Sequence, residues 1–171
     1  MKARAVLGGV IVSIFGQATL LQAQAPDLKT PAPVIYLADN LDEERQLGWC
    51  IDTVGRGLSD RLHAHSCKPQ GGDVQFKFDA ATGWIASVAY FGKCAQYDGS
   101  LPLRLKDCDR SNEQKFSYDA KALTFHPTAD VSLCLAVGAE SQSAGPFMSR
   151  SLEVAECHDI DDALKSWVIA P

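Results

Sequence analysis

Six cysteines after residue 49 constrain the fold of this chain more than any other feature. They stand at Cys50, Cys67, Cys94, Cys108, Cys134 and Cys157. None of the spacings is Cys-x-x-Cys, which argues against a zinc ribbon or a thioredoxin-type redox motif. An even number of cysteines in an exported chain indicates a disulfide framework. Six cysteines allow fifteen pairings, and their spacing alone does not choose among them.

The first 25 residues read as an export signal peptide that is removed from the mature protein. Two basic residues precede an apolar stretch over residues 5–21, and small residues follow at Ala23 and Ala25. Glycine, serine and glutamine within the stretch make it a poor permanent membrane span. The three prolines of residues 26–33 then predict a flexible or extended lead-in. We therefore expect a secreted or periplasmic protein whose mature part does not span a membrane.

The remaining 146 residues suit one domain with a net acidic charge. Without Lys2 and Arg4, 14 basic and 21 acidic residues remain, a net charge of −7. This balance argues against nucleic acid or an anionic membrane as a partner, since both favour basic patches. No phosphate-binding loop or nucleophile motif occurs, and carboxylate pairs are too common in so acidic a chain to indicate glycoside hydrolysis. We predict a binding protein that is not an enzyme and needs no cofactor.

Three similar segments follow one another in this domain. The first cysteines of successive pairs, at positions 50, 94 and 134, lie 44 and 40 residues apart. Eight to ten residues after each second cysteine comes an aromatic residue in a short alternating run: Phe76, Phe116 and Trp167. Short β-favouring runs alternate with turn-rich stretches throughout. The pattern predicts an all-β fold built from three copies of one unit.

These motifs resemble those of the ricin B-type lectins, a family of β-trefoil domains. Each repeat of that family opens with Cys-apolar-Asp and closes with Gln-x-Trp. Here Cys50-Ile51-Asp52 matches the opening, and the closings are Val74-Gln75-Phe76, Gln114-Lys115-Phe116 and Lys165-Ser166-Trp167. Phenylalanine replaces tryptophan in two closings, and the family packs these aromatic residues together around its pseudo-threefold axis.

The resemblance implies a β-trefoil over residues 34–171, with three repeats of about forty residues. The repeats cover about 34–78, 79–118 and 119–169, each with one internal disulfide. The implied pairs are Cys50–Cys67, Cys94–Cys108 and Cys134–Cys157. Each bridge closes a short loop and is worth about 3 kcal/mol in the chain-entropy model.

The resemblance also implies a sugar site in the first repeat. A family site uses an aspartate after the first cysteine, polar and aromatic side chains before the second, and an Asn or Asp before the closing aromatic. The matching residues are Asp52, His63, His65 and Asp73, with the His65 ring where the family stacks an aromatic. Ionised acceptors in fixed geometry suit sugar hydroxyls, and a ring suits the apolar face of a sugar.

Other interpretations of these residues remain open. Asp52 is equally consistent with a loop residue that bonds its own turn, and His63 and His65 with a solvated strand face. Two histidines without a third identified ligand do not predict a metal site. The matching positions of the later repeats lack the pattern, so we expect one weak site. These positions are Gln96, Arg104, Lys106 and Glu113 in the second repeat, and Ala136, Glu153, Ala155 and Leu164 in the third.

The leading hypothesis is an exported, lectin-like protein whose partner is a carbohydrate or glycoconjugate. If the histidines contact the ligand, its affinity should change between about pH 5 and 7. The alternative is a protein-interaction trefoil without sugar binding, such as an inhibitor or a toxin or envelope accessory subunit. Two degraded sites out of three support that alternative, because a fold does not by itself specify a function.

Overall fold

The computed structural model describes residues 24–171. The signal peptide predicted over residues 1–25 therefore lies, except for its last two residues, outside the described part. Within residues 24–171 the fold is all-β, as the sequence predicts, with fourteen strands, three single-turn 3-10 helices and one α-helix of four residues. In this part of the chain no helix is long and apolar enough to cross a membrane.

The strands are short and follow one another closely along the chain. The first seven are β1 (Val34–Leu37), β2 (Trp49–Thr53), β3 (Leu62–Ser66), β4 (Phe76–Asp79), β5 (Trp84–Ser87), β6 (Lys93–Gln96) and β7 (Arg104–Asp107). The other seven are β8 (Phe116–Asp119), β9 (Thr124–Pro127), β10 (Leu133–Val137), β11 (Gln142–Ala144), β12 (Phe147–Arg150), β13 (Leu152–Glu156) and β14 (Trp167–Ala170). The helix α1 (Asp162–Lys165) precedes β14, and the 3-10 helices are Gly72–Val74, Asn112–Gln114 and Cys157–Asp159.

The largest sheet joins distant parts of the chain in the order β11-β12-β3-β2-β1-β14. The last strand pairs with the first, with Leu37 opposite Trp167, so the end of the domain closes against its beginning. The β11–β12 hairpin adds to the other edge, where Ser149 lies opposite His65. Because of this pairing, residues near position 147 lie beside β3, where they form part of the candidate site described below.

Three smaller sheets complete the fold, and every pairing is antiparallel. They are β4-β5-β6-β7, β8-β9 and β10-β13. The β4–β5 and β8–β9 hairpins have the same register, with Phe76 opposite Ser87 and Phe116 opposite Pro127. Both closing aromatics therefore sit at the first position of a hairpin of equal length.

The hydrophobic core contains all three aromatic residues that the sequence singles out. Phe76, Phe116 and Trp167 are buried members of one cluster, together with Trp49 and Phe125. The Trp167 indole Nε1 donates a hydrogen bond of 2.9 Å to the carbonyl of Leu135, which satisfies its polar group. These side chains thus lie in the core, as the alternation of buried and exposed positions along a strand predicts.

The six cysteines form three disulfides, with the pairing that the resemblance implies. They are Cys50–Cys67, Cys94–Cys108 and Cys134–Cys157, with sequence separations of 17, 14 and 23 residues. Each bridge joins neighbouring parts of the chain, so it holds a local loop and does not link remote layers. Three such disulfides fit a protein of an oxidising compartment.

The lead-in over residues 26–33 has no regular secondary structure and is hydrogen-bonded to the domain. The Thr30 hydroxyl is buried and donates to the carbonyl of Lys68 at 3.0 Å. The Gln75 amide donates to the carbonyl of Pro31 at 3.1 Å.

Candidate functional site

A cleft of about 670 Å³ opens beside β2 and β3. We call it the His–Asp cleft and define it by Asp52, His63, His65, Lys68, Asp73 and Phe147. Three parts of the chain form its walls: the β2–β3 hairpin, the segment from Lys68 to Asp73, and the β11–β12 hairpin. Polar groups therefore converge in one concave region, a common property of ligand sites.

The structure brings together all four site residues that the sequence predicts. Asp52 lies directly opposite His63 in the β2–β3 ladder. His65 follows two residues later and points to the same side, because side chains alternate along a strand. Asp73 lies in the 3-10 helix Gly72–Val74, which follows Gly71 and begins at Gly72, two glycines with positive φ.

Asp52 is the buried centre of this group, with a side chain that is 1% exposed. Its Oδ1 accepts a hydrogen bond of 2.6 Å from the Thr53 backbone N–H. Its Oδ2 lies 3.0 Å from Lys68 Nζ, 3.6 Å from His63 Nε2 and 3.8 Å from His65 Nδ1. Burial works to raise the pKa of the Asp52 carboxyl, but the His63 imidazole and the Lys68 ammonium outweigh it, so the pKa lies below the ordinary value.

Lys68 joins the two carboxylates of the cleft, and sequence reasoning missed it. Its Nζ is 3.0 Å from Asp52 Oδ2 and 2.7 Å from Asp73 Oδ1. The only signal in the sequence is its position directly after Cys67, whose disulfide fixes the local backbone. Because the ammonium already lies between the carboxylates, it takes the place that a metal ion bound by them would need.

His65 is buried more deeply than His63 and holds one tautomer when neutral. Its Nδ1 lies 3.1 Å from the Ser66 carbonyl, which can only accept, so we assign the proton to Nδ1. Nε2 is then the acceptor of the neutral ring. Burial lowers the pKa of His65 below the ordinary histidine value, in spite of the Ser66 carbonyl and the Asp52 carboxylate.

Phe147 supplies the aromatic wall of the cleft from a remote part of the sequence. Its ring packs edge-on against His65, with centroids 5.6 Å apart. The Arg45 guanidinium carbon lies 5.2 Å from the Phe147 centroid, within cation–π range. Sequence reasoning missed Phe147 because it took the aromatic from the same repeat, and nothing in the chain near position 147 predicts the pairing of β12 with β3.

Two buried polar atoms of the cleft lack a hydrogen-bond partner among residues 24–171. They are Thr53 Oγ1 and His63 Nε2. The nearest acceptor of the imidazole, Asp52 Oδ2 at 3.6 Å, is beyond an ordinary hydrogen bond. Such atoms are rare in native structures. Both atoms are closed to solvent, so in this structure a ligand does not reach them.

The matching positions later in the chain are arranged differently. Arg104 and Lys106 pair with Asp60, at 3.1 and 2.6 Å, and are therefore engaged within the protein. Ala136 is buried in β10 and offers no polar group. Asp161, in an acidic stretch before β14, accepts a hydrogen bond from the Ala163 N–H at the start of α1, which is a structural role.

One histidine lies beside a disulfide. His126 Nδ1 is 3.6 Å from Cys157 Sγ and 3.8 Å from Cys134 Sγ, and these three atoms form the only compact set of potential metal ligands that the described residues contain. The two sulfurs are bonded to each other, so they offer no thiolate. The imidazole nitrogens instead lie 2.9 Å from the Leu133 carbonyl and 2.8 Å from Thr124 Oγ1.

A second cavity of about 840 Å³ lies near α1. Its central charged residue, Arg150, is buried and donates at 2.6 Å to the carbonyls of Gly138 and Ala139. The same guanidinium pairs with Asp42 and lies 4.8 Å from the Trp49 ring centroid. Arg150 therefore joins elements of the fold, and most of its hydrogen-bonding groups are engaged within the protein.

Lowering the pH from about 7.5 to about 5.5 should reduce the free energy of unfolding, and His65 should account for part of the loss. Because the pKa of His65 is lowered in the folded protein, the unfolded chain binds the proton first, near pH 6.5. The contribution is complete above that pH and declines below it, by at most about 1.4 kcal/mol per pH unit. Urea denaturation at both pH values should give a smaller difference for His65→Gln than for the wild type. The exposed His158→Gln is the control, and equal differences for both variants would contradict the prediction.

No family model matches the chain, and a search of curated proteins finds no match. The function must therefore be inferred from the chemistry of the cleft.

Proposed function

We propose that this protein is an exported, non-catalytic carbohydrate-binding β-trefoil of the ricin B lectin type, with one sugar site in the His–Asp cleft. The observation that carries the proposal is the convergence of Asp52, His63, His65 and Asp73 on one cleft. The lectin resemblance selected these four residues from their positions in the sequence alone, without any knowledge of their distances in space. Phe147 adds the aromatic wall that the apolar face of a sugar would contact.

A backbone contact that occurs three times supports the trefoil. The N–H of the second cysteine of each pair donates to the carbonyl two positions before the first cysteine. The distances are 3.0, 2.9 and 2.9 Å for Cys67–Gly48, Cys108–Gly92 and Cys157–Ser132. Three segments with low sequence similarity thus share the geometry around their disulfides, as copies of one unit would.

A second recurring contact surrounds the closing aromatics. The residue before each of them accepts a backbone hydrogen bond from another strand region. The distances are 2.9, 2.9 and 2.8 Å for Val88–Gln75, Thr128–Lys115 and Ala38–Ser166. The third pair links the end of the domain to its beginning, which is the closure that a threefold arrangement requires.

The closing-motif polar residue supports the same arrangement. Gln114 is buried, and its amide accepts from the Asp109 N–H at 3.0 Å and donates to the Asp107 carbonyl at 2.8 Å. Lys165 replaces glutamine in the last closing, yet its ammonium donates to the Cys157 and Ile160 carbonyls at 2.8 and 2.7 Å. Both side chains bind backbone groups at or near a second cysteine, although the groups differ, and the first closing has the apolar Val74 at this position.

Asp73→Asn should reduce the affinity for a bound glycan about 10- to 100-fold, because a hydrogen bond to a charged group is worth about 1.5–3 kcal/mol. Among the described residues, only Oδ1 of Asp73 accepts a hydrogen bond, from Lys68, so Oδ2 is available to a sugar hydroxyl. The measurement is a glycan-array screen of the oxidised mature protein, followed by titration calorimetry with the strongest ligand.

Asp107→Asn is the matched control, since Asp107 also pairs with a lysine, Lys93 at 2.8 Å, but lies outside the cleft. We expect it to bind like the wild type. Equal losses in both variants would contradict the assignment of the site. An array without any signal, from protein shown to be folded, would contradict carbohydrate binding itself.

A protein-interaction trefoil is the second candidate, and an exposed apolar group favours it. Phe91 is 100% exposed and Leu58 is 96% exposed. A Cβ atom on Gly57 would lie 2.4 Å from the Tyr90 ring, so the loops that carry these two residues are in contact. Exposed apolar groups of this kind often mark protein contacts. The empty array described above would favour this candidate.

A further inference from the structure

We infer that the His–Asp cleft takes an acidic sugar, one that carries an ionised carboxylate such as a uronic acid unit. The inference rests on the proposed carbohydrate binding and adds the charge class of the ligand. It follows from which hydrogen-bonding groups of the cleft are already engaged and which are free.

The buried carboxylate is engaged within the protein. Asp52 Oδ1 accepts from the Thr53 N–H, and Oδ2 faces the Lys68 ammonium and both imidazoles. With 1% of its side chain exposed, Asp52 has no oxygen to offer a ligand. It acts as the internal counter-ion that holds Lys68, His63 and His65 in place, which leaves Asp73 Oδ2 as the free carboxylate oxygen of the cleft.

The groups that remain available to a ligand are mostly donors. Arg56 lines the cleft with an exposed side chain, and no carboxylate of residues 24–171 lies within 4.0 Å of its guanidinium to form an ion pair. Lys68 has three N–H donors for two carboxylate partners.

This donor set suits a carboxylate better than a neutral hydroxyl. Hydrogen bonds between ionised partners are about twice as strong as neutral ones. A guanidinium matches the two oxygens of a carboxylate in a fixed plane, which an ammonium does not. The unpaired Arg56 is therefore the residue that we assign to the acidic group, while Asp73 Oδ2 accepts from a sugar hydroxyl.

The local charge supports this preference within an acidic protein. The mature chain has a net charge of −7, so a general attraction for anions is absent. In the cleft, however, Lys68 and Arg56 balance Asp52 and Asp73, with two imidazoles in addition. The ionised groups of the cleft therefore balance, and an anionic ligand meets no excess negative charge there.

A matched pair of ligands tests the inference: a uronic acid trisaccharide and the same trisaccharide as its methyl ester. Both have the same sugar rings and hydroxyl groups; the ester carries a methyl group on each carboxyl, and only the acid is charged. Titration calorimetry should show the acid binding at least about tenfold more tightly. Added salt should reduce this difference, because the rim of the cleft is solvent-exposed.

Arg56→Gln should weaken the binding of the acid much more than the binding of the ester, and so remove most of the preference for the acid. Arg110→Gln is the matched control, since Arg110 is also exposed and also has a positive φ, 64° against 56° for Arg56. We expect Arg110→Gln to keep the wild-type preference. Equal effects of both substitutions would overturn the assignment to the cleft.

The failure of the inference is distinguishable from the failure of the proposed function. Equal affinity for acid and ester, or an array on which only neutral glycans bind, would overturn the acidic-sugar inference and leave carbohydrate binding intact. An array on which neither acidic nor neutral glycans bind would overturn both.

Discussion

Replacing Asp52 with alanine should lower the free energy of unfolding by about 3–5 kcal/mol and abolish ligand binding, because it breaks a buried ion pair and leaves the Lys68 ammonium with one carboxylate partner where it had two. Lys68 would keep Asp73 as its one remaining carboxylate partner, and His63 would lose the acceptor nearest to its Nε2. The lowered pKa of Asp52 indicates that these partners stabilise its ionised form in the fold. The loss should therefore be smaller below about pH 4, where the carboxylate of the unfolded chain is protonated.

Urea denaturation at about pH 7 measures the change, and Asp60→Ala is the matched control. Asp60 also has two cationic partners, Arg104 and Lys106 at 3.1 and 2.6 Å, but its side chain is 38% exposed. We expect it to change stability little, since exposed ion pairs contribute little. Asp52→Asn keeps the size of the side chain and should remain folded enough for binding to be measured. If Asp52→Ala and Asp60→Ala had equal effects, Asp52 would not be the counter-ion of the cleft.

The sequence predicted the composition of the site better than the role of its parts. Asp52 was expected to accept hydrogen bonds from a ligand, or to bond its own turn. The structure shows a bond to the adjacent Thr53 N–H together with ion pairs that occupy the other oxygen. The type and spacing of residues identify a carboxylate near a cleft, but its exposure depends on Lys68, whose side-chain direction no local pattern specifies.

Local sequence patterns predicted much of the fold but only part of the candidate site. The β-favouring runs and the alternation around Phe76, Phe116 and Trp167 are local, so the strands and the buried aromatic residues followed from the sequence. The disulfides followed from the resemblance, since spacing left fifteen pairings open. Phe147 reaches the cleft through the pairing of β12 with β3, which joins residues more than 80 positions apart. Such long-range pairings are set by packing of the whole domain and are not visible in a local pattern.

Replacing Trp167 with alanine should lower the free energy of unfolding by about 3–5 kcal/mol, the usual cost of removing a buried large aromatic. Trp167 is fully buried, and it connects several parts of the domain. Its indole donates to the Leu135 carbonyl at 2.9 Å, its backbone N–H donates to Leu123 at 2.6 Å, and its carbonyl accepts from the Tyr118 hydroxyl at 2.7 Å. Truncation would leave both a cavity in the core and an unpaired carbonyl at Leu135.

Trp167→Phe separates the packing of the ring from its hydrogen bond, and it uses the residue that stands at the two matching positions, 76 and 116. If the three closing aromatics are interchangeable parts of one core, phenylalanine should recover most of the stability and leave a loss of about 1–3 kcal/mol from the unpaired Leu135 carbonyl. Trp84→Ala is the control, because Trp84 is only partly buried and its indole N–H has no partner in residues 24–171. We expect a smaller loss there than for Trp167→Ala. A Trp167→Phe variant as unstable as Trp167→Ala would show that the closing positions are not equivalent and would count against three copies of one unit.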